Sequence, residues 1–156
     1  MTDNRQSGLS LLEVLVAVAI FAFGLLALAA LMANGMRSNT SAMHRSFATN
    51  QAYDMADRMR ANPGVEYDGI TGLGPGASCI STGCLPAEIL QYDQFQWNSD
   101  NQNFLPGDSA TGTVEKTGDI YAITIMWDDT RSGATGTNCN PTDEDDMTCF
   151  VFEFQL

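Results

Sequence analysis

Glu13 stands at the edge of a stretch that has no other polar side chain. Residues 14–33 read VLVAVAIFAFGLLALAALMA and carry no charge. A carboxylate at membrane depth costs about 2.5–3.5 kcal/mol on insertion scales, so it usually has a task there. Residues 8–13 read Gly-Leu-Ser-Leu-Leu-Glu. A cut after Gly8 would make Leu9 the amino terminus, with an amine of reference pKa about 8 that is cationic at neutral pH. Leu9 and Glu13 are four residues apart and share one helical face. Glu13 can then neutralise that amine, either its own or that of a neighbouring copy, because a buried pair is tolerated where either charge alone is not. The competing reading is that Glu13 only marks the membrane interface.

Few other residues are equipped for chemistry. The four cysteines fall in two near pairs, Cys79 with Cys84 and Cys139 with Cys149. Three connectivities are open, and pairing within each near pair is expected. Neither pair has the two-residue spacing of a zinc hook or of a redox Cys-x-x-Cys site. The single histidine, His44, is expected to face solvent on a helix. Asp93 shares a helical face with Leu90 and Trp97, and is expected to anchor loop amides or the Trp97 indole. The run Asp143-Glu144-Asp145-Asp146 lies between the last two cysteines. Calcium ligation is one use for it, but the spacing is not that of an EF-hand and the central glycine is missing, so a solvated acidic loop is expected. A docking patch for a basic partner is a third use. No nucleophile–base pair, metal site or cofactor site emerges, and no enzymatic activity is expected.

Several elements must position these residues. The chain has 156 residues, a net charge of -12, and 44% hydrophobic against 17% charged residues. That composition excludes a disordered chain and disfavours nucleic acid as a partner. Charge is unevenly spread. Residues 34–60 carry four arginines and two acids, whereas residues 61–156 carry two basic residues and fifteen acids. The twenty apolar residues span about 30 Å as a helix, the thickness of a bilayer core. One reading of them is a discarded signal peptide, cut near Ala27-Leu28-Ala29. The other is a permanent helix. The run exceeds the usual signal core, Arg5 before it is offset by Asp3, and helical character continues to Asn62.

Beyond the run, Met36, Met43 and Phe47 share one helical face, and Ala48, Ala52, Met55 and Met59 share another. This switch suits a helix that first meets neighbours and then packs on its own head. Asn62-Pro63-Gly64 ends it. A second helix is expected to start at Pro86. Strands are expected at Gly112–Lys116 and Asp119–Trp127, joined by Thr117-Gly118, and at the carboxyl end. In the second strand Tyr121, Ile123, Ile125 and Trp127 alternate onto one face; in the last, Phe150, Phe152, Phe154 and Leu156 do.

Gly8 followed by Leu-Ser-Leu-Leu-Glu and the apolar run resembles the class III leader of type IV pilins and pseudopilins. The resemblance implies cleavage between Gly8 and Leu9 by a prepilin peptidase, N-methylation of Leu9, and Glu13 as the glutamate that directs docking into a filament. Gln51–Pro63 (QAYDMADRMRANP) and Cys79–Trp97 (CISTGCLPAEILQYDQFQW) are similar to the PilV family of minor pilins, the type IV pilus modification proteins. The combined resemblance covers residues 8–63 well, 79–97 fairly and the tail loosely.

The resulting expectation is an α+β, pilin-like fold with a long N-terminal helix packed on a small antiparallel sheet. It has a leader over residues 1–8, a membrane-spanning and filament-core segment over 9–33, an amphipathic segment over 34–62, and a periplasmic head with two disulfides over 63–156. The implied function is a minor pilin in pilus assembly or priming, with adhesion or motility as its outcome. Implied partners are the prepilin peptidase, other minor pilins, the major pilin, the inner-membrane assembly platform and a pilus-tip adhesin. The implied location is the bacterial inner membrane, crossed once, and the assembled pilus. A minor pseudopilin of type II secretion and a soluble, disulfide-stapled secreted binding domain are the alternatives.

Overall fold

The computed structural model describes residues 10–79 and 83–156, so Gly8 and Leu9 lie outside the described residues. The chain divides into two units, Met1–Thr40 and Ser41–Leu156. Helix α1, Leu11–Ala61, is continuous, as expected of a sequence with no proline before Pro63. The Asn62 N–H donates to the carbonyls of Arg58 and Met59 at 3.1 and 3.3 Å, and Pro63 cannot extend the ladder.

In the second unit α1 turns Ala48, Ala52, Met55, Ala56 and Met59 into the core, all of them essentially inaccessible to solvent. This is the second of the two stripes read from the sequence. Met43, of the first stripe, is exposed, and Phe47 sits at the border with its ring 5.1 Å from that of Phe104. The methionines of this stripe fill the irregular gaps left between the aromatic rings of the core.

Four antiparallel strands follow in simple order: β1, Ile70–Thr71; β2, Thr111–Thr117; β3, Ile120–Trp127; and β4, Thr148–Gln155. The two-residue hairpin loop is Gly118-Asp119, one residue later than expected, because Thr117 still pairs with Ile120. Gly118 takes a φ of 64°, which costs glycine little. Tyr121, Ile123, Ile125 and Trp127 all face the core, as the alternation demanded. Phe150, Phe152 and Phe154 stand opposite Ile125, Ile123 and Tyr121 and pack on the same core. Leu156 does not join them: it lies past the end of β4 and is exposed. Strand β1 has only two residues, too short for any periodic signal.

Helix α2, Pro86–Phe104, starts at the expected proline and runs seven residues beyond Trp97. Its start is capped by the Glu88 carboxylate, which accepts the Leu85 N–H at 2.8 Å. Trp97 and Asn98 are fully buried. A Cβ at Gly112 would lie 2.2 Å from the Trp97 ring, so β2 passes the helix this closely only because residue 112 is glycine. Asn98 fastens this crossing. Its Oδ1 accepts the Gly112 N–H at 2.6 Å, and its Nδ2 donates to the Gly72 carbonyl at 2.8 Å.

Candidate functional site

The first unit carries the candidate site, Glu13. The Glu13 and Val14 amides donate to the Ser10 carbonyl at 2.9 and 3.2 Å, closing the opening turn of α1. Glu13 occupies that first turn, where the positive end of the helix dipole favours a carboxylate. Around it every large apolar side chain from Leu11 to Met32 is between 47% and 79% exposed. No part of this span is buried within the chain, and the helix is long and apolar enough to cross a membrane. Water is a poor solvent for such a surface, at roughly 25 cal/mol per Å² of apolar area. Glu13 is the one charged residue between Leu11 and Met32.

The second unit holds three polar anchors and no assembled reaction centre among its described residues. In the first, the Asp93 carboxylate accepts the Tyr67 hydroxyl at 2.7 Å and the Arg58 guanidinium at 3.0 Å. Asn62 donates to the Tyr67 hydroxyl at 3.1 Å and to the Pro86 carbonyl at 3.0 Å. Burial and the neighbouring Asp93 push the Tyr67 hydroxyl well above the usual tyrosine range. Asp93 is thus an anchor between helices, but not to the groups expected of it. The Trp97 indole donates instead to the Gln51 carbonyl at 2.8 Å. The face that Asp93 and Trp97 share meets α1 and the Tyr67 loop, so their partners come from far along the chain.

The second anchor overturns the expectation for His44, which is only 6% exposed. Its Nδ1 lies 2.9 Å from Asp129 Oδ1. An ionised carboxylate only accepts, so Nδ1 carries the proton. The Trp127 indole donates to the same oxygen at 3.0 Å, and the Ser41 hydroxyl donates to Oδ2. Burial works to raise Asp129, but the hydrogen bonds from Ser41, His44 and Trp127 outweigh it and hold the carboxyl below its ordinary range. Serine, histidine and aspartate meet here in the wrong order for catalysis. The hydroxyl is turned to the carboxylate, not to the imidazole.

The third anchor organises the loop between β3 and β4. Buried Asp128 accepts the amides of Ser132 and Gly133 at 3.1 and 2.7 Å, and these bonds overcome burial to hold its carboxyl low. Sequence reading missed Tyr67, Asn98, Asp128 and Asp129. Their types gave no signal, since each partner is set by folding. The structure pairs Cys79 with Cys84 and Cys139 with Cys149. In the acidic run, Asp143 accepts the Asp145 amide and Asp146 accepts the Asn140 amide. Among the described residues no group of three or more histidine, cysteine or acidic side chains converges as a metal would require.

The prokaryotic N-terminal methylation motif matches residues 3–29, the stretch that holds Gly8, Leu9, Glu13 and most of the apolar run. No curated protein and no solved structure matches the chain. The motif supports a type IV pilin-like protein, in a pilin or pseudopilin role. Such a protein is a structural subunit anchored in a membrane, processed by a prepilin peptidase and partnered by other pilins. The α+β fold, with its long N-terminal helix packed on a four-stranded antiparallel sheet, is consistent with that class.

Proposed function

We propose that this chain is a minor pilin of the PilV type, acting in the assembly or priming of a type IV pilus. The observation that carries the reading is Glu13, a lone carboxylate in the first turn of a helix whose other side chains from Leu11 to Met32 are apolar and exposed, within a methylation motif. In this reading a prepilin peptidase cuts between Gly8 and Leu9 and methylates the new amine of Leu9. Residues 9–33 cross the inner membrane once before assembly, residues 34–62 continue the helix, and the acidic head over 63–156 faces the periplasm. During assembly the helix leaves lipid for a bundle of similar helices, and Glu13 meets the terminal amine of a neighbour. The pair is worth most where water is excluded, which favours docking in one register. Other minor pilins, the major pilin, the assembly platform and a tip adhesin are the proposed partners. The PilV assignment rests on the Gln51–Pro63 and Cys79–Trp97 resemblances. The Cys79–Cys84 bridge and the Pro86 helix start of the structure are compatible with it.

The test is intact-mass and N-terminal peptide analysis of the protein from native membranes. A chain beginning at N-methylated Leu9 is expected. A chain beginning near Ala30 would reduce the protein to a soluble secreted domain. Deletion of the gene should abolish surface pili or twitching if it serves a pilus, and should leave protein export intact. Loss of export with normal pili would assign it to type II secretion.

A further inference from the structure

The sheet ends at β4, which pairs with β3 alone. Among the described residues the backbone of residues 150–155 makes no hydrogen bond outside that ladder. Alternate amides and carbonyls of this strand therefore point off the sheet and invite another strand. Sheets usually blunt such an edge with proline, lysine, a bulge or brevity. None of these occurs here. Strand β4 has eight residues in unbroken register, without proline, and Glu153 is its only charge. Phe150, Phe152 and Phe154 are only partly buried on one face, and Val151 is 50% exposed on the other. Tyr53 and Arg60 of α1 lie over Phe152 and Phe154, yet these rings stay partly exposed, so both faces of the edge offer some apolar surface to a neighbour.

Charge selects which neighbour. Where β4 begins, a cavity of about 710 Å³ is lined by five carboxylates, among them Asp143, Glu144 and Asp146, against a single cation, Arg45. A second copy of this chain would bring its own net -13 over residues 61–156 to that place, which opposes self-pairing. We propose that β4 is a docking edge for an extended, basic segment of a different polypeptide. The incoming backbone completes the ladder, its apolar side chains extend the phenylalanine row, and its lysines or arginines meet Glu153 and the acidic cavity. This inference rests on the head's sheet alone and stands or falls apart from the processing of Leu9.

The test uses the full chain in detergent micelles. The probe is a synthetic peptide of about ten residues, alternating valine and threonine with lysine at both ends. Two controls accompany it, one with glutamate ends and one with alternate backbone amides methylated. The lysine peptide is expected to slow amide hydrogen exchange across residues 150–155. It is expected to bind about tenfold tighter than the glutamate peptide, as two or three partly exposed ion pairs allow. Backbone methylation should abolish binding. Glu153→Lys should narrow the preference between the two charged peptides while leaving the melting temperature unchanged. Absence of binding, or binding indifferent to backbone methylation, would overturn the proposal. Protection of residues 150–155 that rises with protein concentration alone would replace the foreign strand by a second copy.

Discussion

Asp93 shows how one side chain can hold a small head together. It joins Arg58 of α1 and Tyr67 of the following loop to α2, and its own side chain is 9% exposed. Removing it leaves the Tyr67 hydroxyl without its acceptor and leaves the Arg58 guanidinium with Asp54 as its remaining carboxylate. Asp93→Ala should therefore cost about 2–3 kcal/mol in denaturant unfolding, whereas Tyr67→Phe, which deletes the bonds to Asp93 and from Asn62, should cost about 1–2 kcal/mol. Equal effects would mean that Arg58 contributes nothing through Asp93. Asp129 makes a pH prediction. Its folded pKa lies below the ordinary value of about 3.9, so its contribution is complete above that pH and is lost as pH falls through the folded value. Melting temperature should drop on acidification below about pH 4, and Asp129→Asn should flatten part of that drop. Tyr67 acts at the other extreme. Its raised pKa stabilises the fold below about pH 10 and gives way above it.

At the scale of elements, the decisive contact is α2 crossing β2. Gly112 lets the Trp97 ring lie against the strand, and Asn98 takes both backbone groups that the crossing would otherwise leave unpaired. Gly112→Ala must push either the indole or the strand aside and break the Asn98 bonds. A loss of about 2–4 kcal/mol is expected, with the fluorescence of Trp97 shifted to longer wavelength in the folded state. An unchanged spectrum with unchanged stability would show that the crossing relaxes freely. The long helix makes the opposite point. Its stripe from Ala48 to Met59 is buried in the core, whereas the large apolar side chains from Leu11 to Met32 are exposed.

For the whole molecule, that division predicts separable behaviour. Every residue of the main core lies at Ala48 or later, so a fragment beginning at Met36 should be soluble, folded and cooperative in thermal melting. The full chain should need detergent. Glu13→Gln should leave membrane insertion intact or improve it, since a charge at the membrane edge is removed. Under the proposed function the same variant should enter sheared filaments far less than the parent protein. Normal incorporation would sink the docking role of Glu13.

The sequence by itself determined the elements whose signal is local and repeated. The apolar run, the proline that ends α1, the proline that opens α2 and the period-2 strands were legible because helix and strand periodicity are set by neighbours along the chain. Glu13 was legible for the same reason, being one polar residue against an apolar background. Only the tertiary structure decided the fates of His44, Asp93 and Asp129. A polar side chain's role depends on which distant group folding brings within hydrogen-bond reach, and nothing near His44 in the chain announces Asp129, 85 residues away. The same holds for the two residues of β1, which become a strand only because Val114 and Thr113 stand beside them.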